Sequence, residues 1–366
     1  MIDRRRPEPL YIQVKQDIID QIERGQIKIG DKLMSETEMQ QHYGVARPTI
    51  RAALSDLVTE GCIRKEHGLG TFCIAYPKKE KPVNVDVIVN QSDTYFMPYV
   101  LRGISQVLDD NGGNLLLHDN DHSMERTIEL LKRVLDRGTD GVIMPAFFDS
   151  YKSCEIMVDL LRQYDNAKVP IVMMLGDMNR PWYLSSLSID NFIHITVDVR
   201  YGGEIAAKYL LDCGHRRILA LLCGSYAQKG NRRLIGFYDA VNRVPDARAF
   251  EYLGDANFGP EVLRLVREEG VTAIQCYNDH VAVQCLRLLS ENGIRVPEDV
   301  SLIGFDDTDL ARNAIPSLTT ITHPKSQLGM EAANSILRRI RNPLDRQEDV
   351  IYRPGLVIRY SVKQVE

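Results

Sequence analysis

The sequence predicts an α/β protein with an N-terminal winged helix-turn-helix and a larger, two-lobed domain of doubly wound parallel sheets. Three observations predict this fold. Amphipathic helical segments and a glycine-containing hairpin occupy residues 1–75. From residue 83 onward, short apolar runs alternate with helical segments. A charged segment bracketed by prolines lies between these two regions. We therefore expect a winged helix-turn-helix domain at 1–75, a linker at 76–82 and a second domain at 83–366.

The first two helices are predicted by apolar spacing and by a capping signal. Segment 10–24 has an apolar stripe at helical spacing, which comprises Ile12, Ile18, Ile19 and Ile22. Ser35 and Glu38 have the spacing of a capping box and predict a second helix that continues to Tyr43. Gly44 then supplies a turn before the next element.

The third helix is expected over about 48–60, because Pro48 is tolerated in a first helical turn. Its apolar face comprises Ile50, Ala53, Leu54 and Leu57. Segment 61–72 predicts a two-stranded hairpin with Gly68 and Gly70 in its tip. In a winged helix-turn-helix, such a helix faces double-stranded DNA with its N-terminus and the hairpin reaches an adjacent groove.

Arg47, Thr49 and Arg51 lie at the start of this third helix and are the candidate DNA contacts. A solvated helix face is the alternative explanation of the two arginines. The complete pattern of three helices and a wing favours DNA contact. Net charge gives only weak support, because residues 1–82 hold 14 Lys and Arg against 12 Asp and Glu. The basic residues are placed locally, and a dimer on a two-part DNA site would compensate for weak binding by one domain.

The segments LYIQVKQDI, GDKLMSETEMQQHYGVARPTIRAALSDLVTEG and GLGTF, within residues 8–74, resemble the DNA-binding domain of the GntR-type regulators. The resemblance implies base and phosphate contacts from the third helix and from the wing, at Arg47, Thr49, Arg51, His67, Gly68 and Gly70. It also places Glu36 at a family position that helps to orient the arginines. Glu36 is equally explained as a helix N-terminal charge favoured by the helix dipole.

The second region alternates strands and helices. The strand candidates are 83–89, 114–117, 141–144, 171–175, 218–222, 273–277 and 301–304, and the helix candidates between them are 99–110, 126–137, 202–213, 233–241, 260–269 and 279–292. This alternation predicts parallel sheets with helices on both faces. The number of units favours two lobes, the second of which begins near 196–203. Ligands of such folds bind at the carboxyl ends of the strands.

Polar side chains at predicted strand ends are the candidates for this second site. Asp93 and Tyr95 follow the first strand, Asn278 and Asp279 follow the strand at 273–277, and Asp306 follows the strand at 301–304. Carboxylates, amides and an arginine beside aromatic rings are the groups that bind a polyol. Each aspartate has an alternative explanation as the N-cap of the following helix, and this applies most directly to Asp279.

A second resemblance covers about residues 83–362. YGGEIAAKYLLDCGHRRILALL, RRLIGFYDAV, AIQCYNDHVAVQCLRLLSENGIRVPEDVSLIGFDD and IPSLTTITHPKSQLGMEAA resemble the effector domain of LacI-type repressors, a fold related to periplasmic sugar-binding proteins. The resemblance implies a two-lobed, periplasmic-binding-protein-like domain. It implies sugar contacts from Arg233, Asn278, Asp279 and Asp306, and places His323 in a crossover segment near the cleft.

The combination of a GntR-type head and a LacI-type effector domain is similar to the bacterial arabinose repressors. It implies a homodimeric repressor of arabinose or pentose utilisation genes, released from operator DNA when L-arabinose binds between the lobes. A different monosaccharide as effector is the first alternative. A solute-binding transport protein shares the effector fold, but the DNA-binding head and the lack of a signal peptide argue against it.

An enzyme is the third class considered. The sequence has no GxGxxG after the first strand, no phosphate loop and no nucleophile motif. Its seven cysteines, at 62, 73, 154, 213, 223, 276 and 285, form no CxxC pair and no metal-ligand spacing, which favours buried free thiols in a reducing cytoplasm. We expect no catalytic residue, no metal and no cofactor. No apolar run approaches the ~20 residues of a membrane span, so no membrane partner is expected.

Overall fold

The computed structural model describes residues 9–66, 68–75, 82–90, 95–145, 151–174, 192–224, 227, 230–343, 345 and 347–365, with the backbone alone at 151–154. The chain forms two compact units, Met1–Lys81 and Pro82–Glu366. The linker predicted at 76–82 falls almost entirely outside the described residues, so it stays a prediction. The two units are described separately below.

The first unit is a three-helix domain with a small wing, as the sequence predicts. Its elements are α1 (Leu10–Glu23), α2 (Glu36–Tyr43), α3 (Arg47–Thr59), β1 (Ile63–Glu66) and β2 (Gly70–Cys73), and the two strands pair antiparallel. The capping box is confirmed, since Ser35 accepts a hydrogen bond from the Glu38 amide and the Glu38 carboxylate accepts one from the Ser35 amide. Gly44 ends α2 in the left-handed region, with φ +63°.

The apolar face predicted for α3 is confirmed, because all four of its members are buried. The stripe predicted for α1 is partly wrong. Ile18 and Ile22 are buried, but Ile12 is 37% exposed and Val14 takes its place. Val14, Ile18 and Ile22 are spaced four residues apart and share one helix face, from which Ile12 is displaced by two residues.

The second unit contains two six-stranded sheets within the described residues. The first sheet is built from β3 (Asn84–Val89), β4 (Asn114–Asp119), β5 (Gly141–Pro145), β6 (Ile171–Met174), β7 (Phe192–Val197) and β13 (Val350–Tyr352). The second is built from β8 (Arg217–Cys223), β9 (Arg248–Gly254), β10 (Ala273–Cys276), β11 (Ser301–Phe305), β12 (Thr319–Thr322) and β14 (Gly355–Val357). These sheets form the two predicted lobes.

The strand orders are those of doubly wound sheets. The first sheet has the order β4-β3-β5-β6-β7-β13 and is parallel throughout. The second has the order β9-β8-β10-β11-β12-β14, and only the edge pair β12–β14 is antiparallel. The prediction of parallel sheets is therefore confirmed, with one antiparallel edge strand added.

Helices connect the strands in both lobes. They are α4 (Met97–Asp110), α5 (Met124–Arg137), α6 (Tyr151–Asn166), α7 (Val199–Asp212), α8 (Arg232–Val241), α9 (Gly259–Arg267), α10 (Asp279–Glu291), α11 (Asp309–Asn313) and α12 (Lys325–Arg341). After β12 of the second sheet, the chain crosses to the first lobe, where α12 packs against α4 and against β5, β6 and β7. The chain crosses back to the second lobe between β13, which joins the first sheet, and β14, which joins the second sheet.

Among the described residues, no helix is long and apolar enough to cross a membrane. Six of the cysteines are described with their side chains, and all six are buried free thiols, as predicted.

Candidate functional sites

The start of α3 carries a cluster of charges that is joined to the start of α2. Glu36 Oε2 accepts a hydrogen bond from Arg47 Nε and another from Arg51 Nε, each at 3.0 Å. Lys65 Nζ, on β1 of the wing, lies 3.5 Å from Glu36 Oε1. One carboxylate thereby holds two arginines of the third helix and a lysine of the wing on one surface.

The electrostatics of this cluster favour a permanently charged state. Hydrogen bonds from Arg47 and then Arg51 lower the pKa of Glu36 to about 2. The two arginine side chains are more than half exposed, whereas that of Glu36 is 22% exposed. The geometry thus matches an orienting role for Glu36, and its place in the first turn of α2 also matches the helix-dipole explanation.

Thr49 lies in the same first turns of α3 and is half-buried. In the wing, Gly68 and Gly70 have φ of +76° and +124°, conformations that other L-residues rarely adopt. His67 lies outside the described residues, so its expected role in the wing stays a prediction.

The second site lies at the carboxyl ends of four neighbouring strands of the second lobe, β8, β10, β11 and β12. Arg233 lies in the first turn of α8, after β8, while Asn278, Asp306 and His323 follow the other three strands in turn. The sheet order therefore brings together four residues that are far apart in the sequence, at the edge where ligands of parallel sheets bind.

Arg233 is held by aromatic rings and by a main-chain carbonyl. Its guanidinium carbon lies 3.8 Å from the centre of the Phe305 ring and 4.3 Å from that of Tyr277, and Nη1 donates to the Tyr277 carbonyl at 2.6 Å. α7 packs so closely on this turn that a Cβ at Gly203 would meet the Arg233 carbonyl oxygen at 2.1 Å. Both the backbone and the guanidinium of Arg233 are thus fixed in place.

Asp306 faces this guanidinium. Its Oδ1 lies 3.7 Å from Arg233 Nη2 and 3.1 Å from His323 Nε2, and the Asp306 side chain is 14% exposed. Burial raises the pKa of Asp306, but the nearby Arg233 and His323 outweigh it, so the pKa lies below its ordinary value and the carboxylate stays ionised. Burial lowers the pKa of His323 despite Asp306, so His323 is neutral near pH 7.

Asp279 is not the N-cap of the helix that it begins. The N-cap of α10 is Asn278, whose side chain accepts a hydrogen bond from the Val281 amide at 3.0 Å, so the N-cap explanation of Asp279 is wrong. Asp279 is 1% exposed. Its carboxylate accepts hydrogen bonds from the amide and hydroxyl of Thr308 at 2.7 and 3.0 Å and from the Thr320 hydroxyl at 2.6 Å.

This network holds Asp279 against the Asp306 turn, and the direct sugar contact that the resemblance implies for Asp279 stays a prediction. The Asp279 carboxylate lies on Gly304, where a Cβ would meet Oδ1 at 2.3 Å. Burial, followed by the nearby Asp306 charge, raises the pKa of Asp279 to about 7. The partners that saturate this carboxylate come from two other segments, which the sequence pattern did not indicate.

The first lobe contributes aromatic rings. Tyr95 stacks on His280 of the second lobe, with ring centres 5.6 Å apart, and it is 53% exposed. Its neighbour Phe96 lies 5.0 Å from the His323 ring. Asp93 lies outside the described residues and remains a prediction.

Sequence reasoning missed several residues around the second site. They are Tyr277 and Phe305 beside Arg233, Thr308 and Thr320 beside Asp279, and Lys325, whose Nζ donates to the main-chain carbonyls of Asp306 and Asp307. Tyr277 directly precedes Asn278, and Phe305 directly precedes Asp306. The sequence could therefore have indicated that aromatic rings lie beside the predicted polar residues. Among the described residues, no group of three or more His, Cys, Asp or Glu side chains could hold a metal ion.

Two family models match the chain. Residues 10–73 match the model described as bacterial regulatory proteins of the gntR family, and residues 207–362 match the periplasmic binding protein-like domain. A LacI family transcriptional regulator from Enterococcus faecalis V583, solved with bound ribose, is 27% identical with a TM-score of 0.63, over 77% of this chain and 100% of its own.

Full-length relatives share both parts. An arabinose metabolism transcriptional repressor of Geobacillus stearothermophilus is 30% identical over 98% of each chain. The protein of the same description from Halalkalibacterium halodurans is also 30% identical over 98% of each chain. The chain belongs to this family of arabinose metabolism transcriptional repressors.

The chain is accordingly a cytoplasmic, sugar-binding transcriptional repressor and not an enzyme, as the sequence predicts. The first unit is its gntR-type DNA-binding domain, and the second is its LacI-type effector domain. The alternative of a solute-binding transport protein is therefore wrong.

Proposed function

We propose that this repressor responds to L-arabinose, which binds between the two lobes and releases the protein from operator DNA. The observation that carries the sugar-binding part is the pair of Arg233 and Asp306 at the carboxyl ends of the strands. Their charged groups lie 3.7 Å apart and their side chains are 13% and 14% exposed. An ionised carboxylate accepts hydrogen bonds from sugar hydroxyls and a guanidinium donates to them. The choice of L-arabinose is supported by the names of the full-length relatives.

The sugar contacts in this proposal come from both lobes. Arg233, Asn278 and Asp306 supply polar contacts from the second lobe, with His323 beside them. Tyr95 supplies a ring from the first lobe, and Asp93 is retained from the sequence prediction. Asp279 is also retained from the sequence prediction, and its carboxylate accepts hydrogen bonds from the Thr308 and Thr320 hydroxyls.

The DNA contacts in this proposal come from the first unit. Arg47 and Arg51 reach base edges or phosphates, oriented by Glu36, and Thr49 contacts the backbone or a base at the helix start. The wing contacts the adjacent groove through its glycine tip and His67. The repressor acts as a homodimer, because two weakly basic heads on a two-part site bind operator more tightly than one head does.

Sugar binding must favour the state that does not bind DNA. To move the equilibrium from almost all bound to almost all released, the sugar must bind the released state about 10⁴-fold more tightly, or roughly 5.5 kcal/mol. A sugar that bound both states equally would release nothing. The proposal therefore requires different sugar affinities in the two states.

A second candidate effector is another pentose, which the ribose-bound relative favours. The experiment is calorimetry of the full chain with L-arabinose, D-ribose, D-xylose and D-glucose. We expect measurable binding of L-arabinose, with the other sugars at least about tenfold weaker. Tighter binding of D-ribose would replace L-arabinose as the effector, and binding of none of the four would contradict a monosaccharide effector of this class.

A further inference from the structure

Lys325 is a buried cation beside the Asp306 turn. It is the first residue of α12 and is 7% exposed. Its Nζ donates hydrogen bonds to the carbonyl oxygens of Asp306 and, at 3.2 Å, of Asp307. Burial lowers the pKa of Lys325, and the Asp306 and Asp307 carboxylates oppose this change. An ammonium group in such a place is tolerated only where its donors are satisfied, so these carbonyl contacts define its position.

The turn that Lys325 contacts has an unusual backbone. Asp306 has φ +101° and Asp307 has φ +47°, in a region that residues other than glycine rarely adopt. Two successive residues of this kind persist only where surrounding contacts hold them. Lys325 binds the carbonyl groups of both residues, so it holds the two peptide units that aim the Asp306 carboxylate.

Lys325 is itself anchored on the first lobe. α12 packs so closely on α4 that a Cβ at Gly329 would meet the Val100 carbonyl oxygen at 2.1 Å, and one at Gly103 would meet the Ser326 carbonyl oxygen at 2.1 Å. Lys325 Nζ also lies 5.7 Å from the centre of the Tyr99 ring on α4. The lysine thus extends from a helix seated on the first lobe to a turn of the second lobe.

We propose that Lys325 is a positioning residue for the sugar, which fixes the Asp306–Asp307 turn so that the Asp306 carboxylate is presented beside Arg233. The inference rests on the proposed sugar-binding function and adds to it a residue that acts without touching the sugar. It predicts that the contribution of Lys325 to sugar affinity passes through the Asp306 carboxylate.

A double-mutant cycle on the full chain tests this prediction. Lys325→Met keeps the length of the side chain and removes its donors. In the parent background we expect it to weaken L-arabinose binding at least tenfold in calorimetry. In the Asp306→Ala background, the same change should weaken binding less than about twofold, because the group that Lys325 positions is gone. A merely structural role would lower sugar affinity equally in both backgrounds.

The control is Lys208→Met, which removes an exposed lysine of α7 that pairs with Asp212. It should leave sugar affinity unchanged, and operator binding without sugar should stay normal in every variant that folds. If Lys325→Met does not fold, the cycle is run with Lys325→Arg, which keeps a charge but displaces it, and a smaller loss that again disappears with Asp306→Ala is expected.

Equal losses in the two backgrounds, or no loss in the parent background, would overturn the positioning role while leaving the sugar-binding proposal intact. Absence of L-arabinose binding by the parent would instead remove the proposed function, and the inference with it.

Discussion

At the residue scale, the candidate DNA-binding surface depends on two arginines held by one carboxylate. Arg47→Ala and Arg51→Ala should each weaken operator binding by about 1–3 kcal/mol if they contact base edges. Arg24→Ala is the matched control, because Arg24 is also an exposed arginine of the first unit, with its side chain 72% exposed. Fluorescence anisotropy with operator DNA measures the three affinities.

Parent-like operator affinity in both α3 variants would contradict the assignment of α3 as the recognition helix. A loss in Arg24→Ala as large as theirs would show that net charge alone matters. The sugar affinity of all three variants should equal that of the parent, because the effector domain is a separate unit.

Asp279 gives a pH-dependent prediction. Its pKa in the folded protein is raised to about 7, above its ordinary value of 3.8, so its favourable contribution to stability is complete below about pH 4 and is lost as the pH rises through 7. Asp279→Asn removes this titration and keeps a side chain that can pair with Thr308 and Thr320. Relative to the parent, the variant should gain on the order of 2 kcal/mol between pH 5 and pH 8.

The measurement is the melting temperature of the effector domain at the two pH values. Asp159→Asn, at an aspartate whose side chain is 70% exposed, should show no such change. A constant difference between Asp279→Asn and the parent across this range would contradict the assigned protonation.

The sequence could predict which residues the strand ends bring together, but only in part which groups those residues contact. Arg233, Asn278 and Asp306 follow strands whose ends must meet in a parallel sheet, so their proximity follows from strand order. The saturation of Asp279 could not be predicted, because Thr308 and Thr320 lie 29 and 41 residues away in the sequence. Similarly, no periodic pattern marks Lys325 as a partner of the Asp306 turn.

At the scale of elements, the wing depends on left-handed glycines. Gly68 has φ +76°, and an added Cβ would meet no atom within 4 Å, so backbone strain alone decides what a substitution does there. Gly68→Val should distort the hairpin and weaken operator binding at least about fivefold, because strain of this kind costs on the order of 1–3 kcal/mol. Gly68→Asn is the matched control, since asparagine tolerates this conformation.

The two wing variants are compared by operator affinity and by the melting temperature of the effector domain, which should be unchanged. Equal and parent-like affinities would reduce the wing to a spacer. Gly70→Val should behave like Gly68→Val, because Gly70 has φ +124°.

Apolar periodicity predicted most of the helices and strands of the second unit, but some long elements were also omitted. All seven strand candidates exist, with ends shifted by at most two residues. The prediction omitted β7, β9, β12, β13 and β14, together with α6, α11 and α12. The last two strands have three residues each, too few to show a period. β12 has three threonines among its four residues, and the Thr320 hydroxyl donates to the Asp279 carboxylate.

At the scale of the whole molecule, the linker is the first prediction. The lysines and prolines of segment 76–82 predict that limited trypsin digestion cuts near 78–81. The released C-terminal fragment should stay folded, bind L-arabinose and form a dimer in sedimentation equilibrium. First cuts within either unit would contradict the boundary, and a monomeric fragment would place dimerisation elsewhere in the chain.

The central claim is that sugar bound at Arg233 and Asp306 releases the repressor from DNA. The most direct measurement is a titration of the operator complex with L-arabinose, followed by anisotropy, for the parent, Arg233→Ala and Asp306→Ala. Arg248→Ala serves as control, because Arg248 is an exposed arginine of β9 that lies over Phe250, away from the strand ends of the site.

Charge-assisted hydrogen bonds contribute roughly 1.5–3 kcal/mol each, so both site variants should need at least about tenfold more sugar for release from the operator. Their operator affinity without sugar should equal that of the parent. Release of both site variants at the parent's sugar concentration, or no release of the parent at all, would contradict the account.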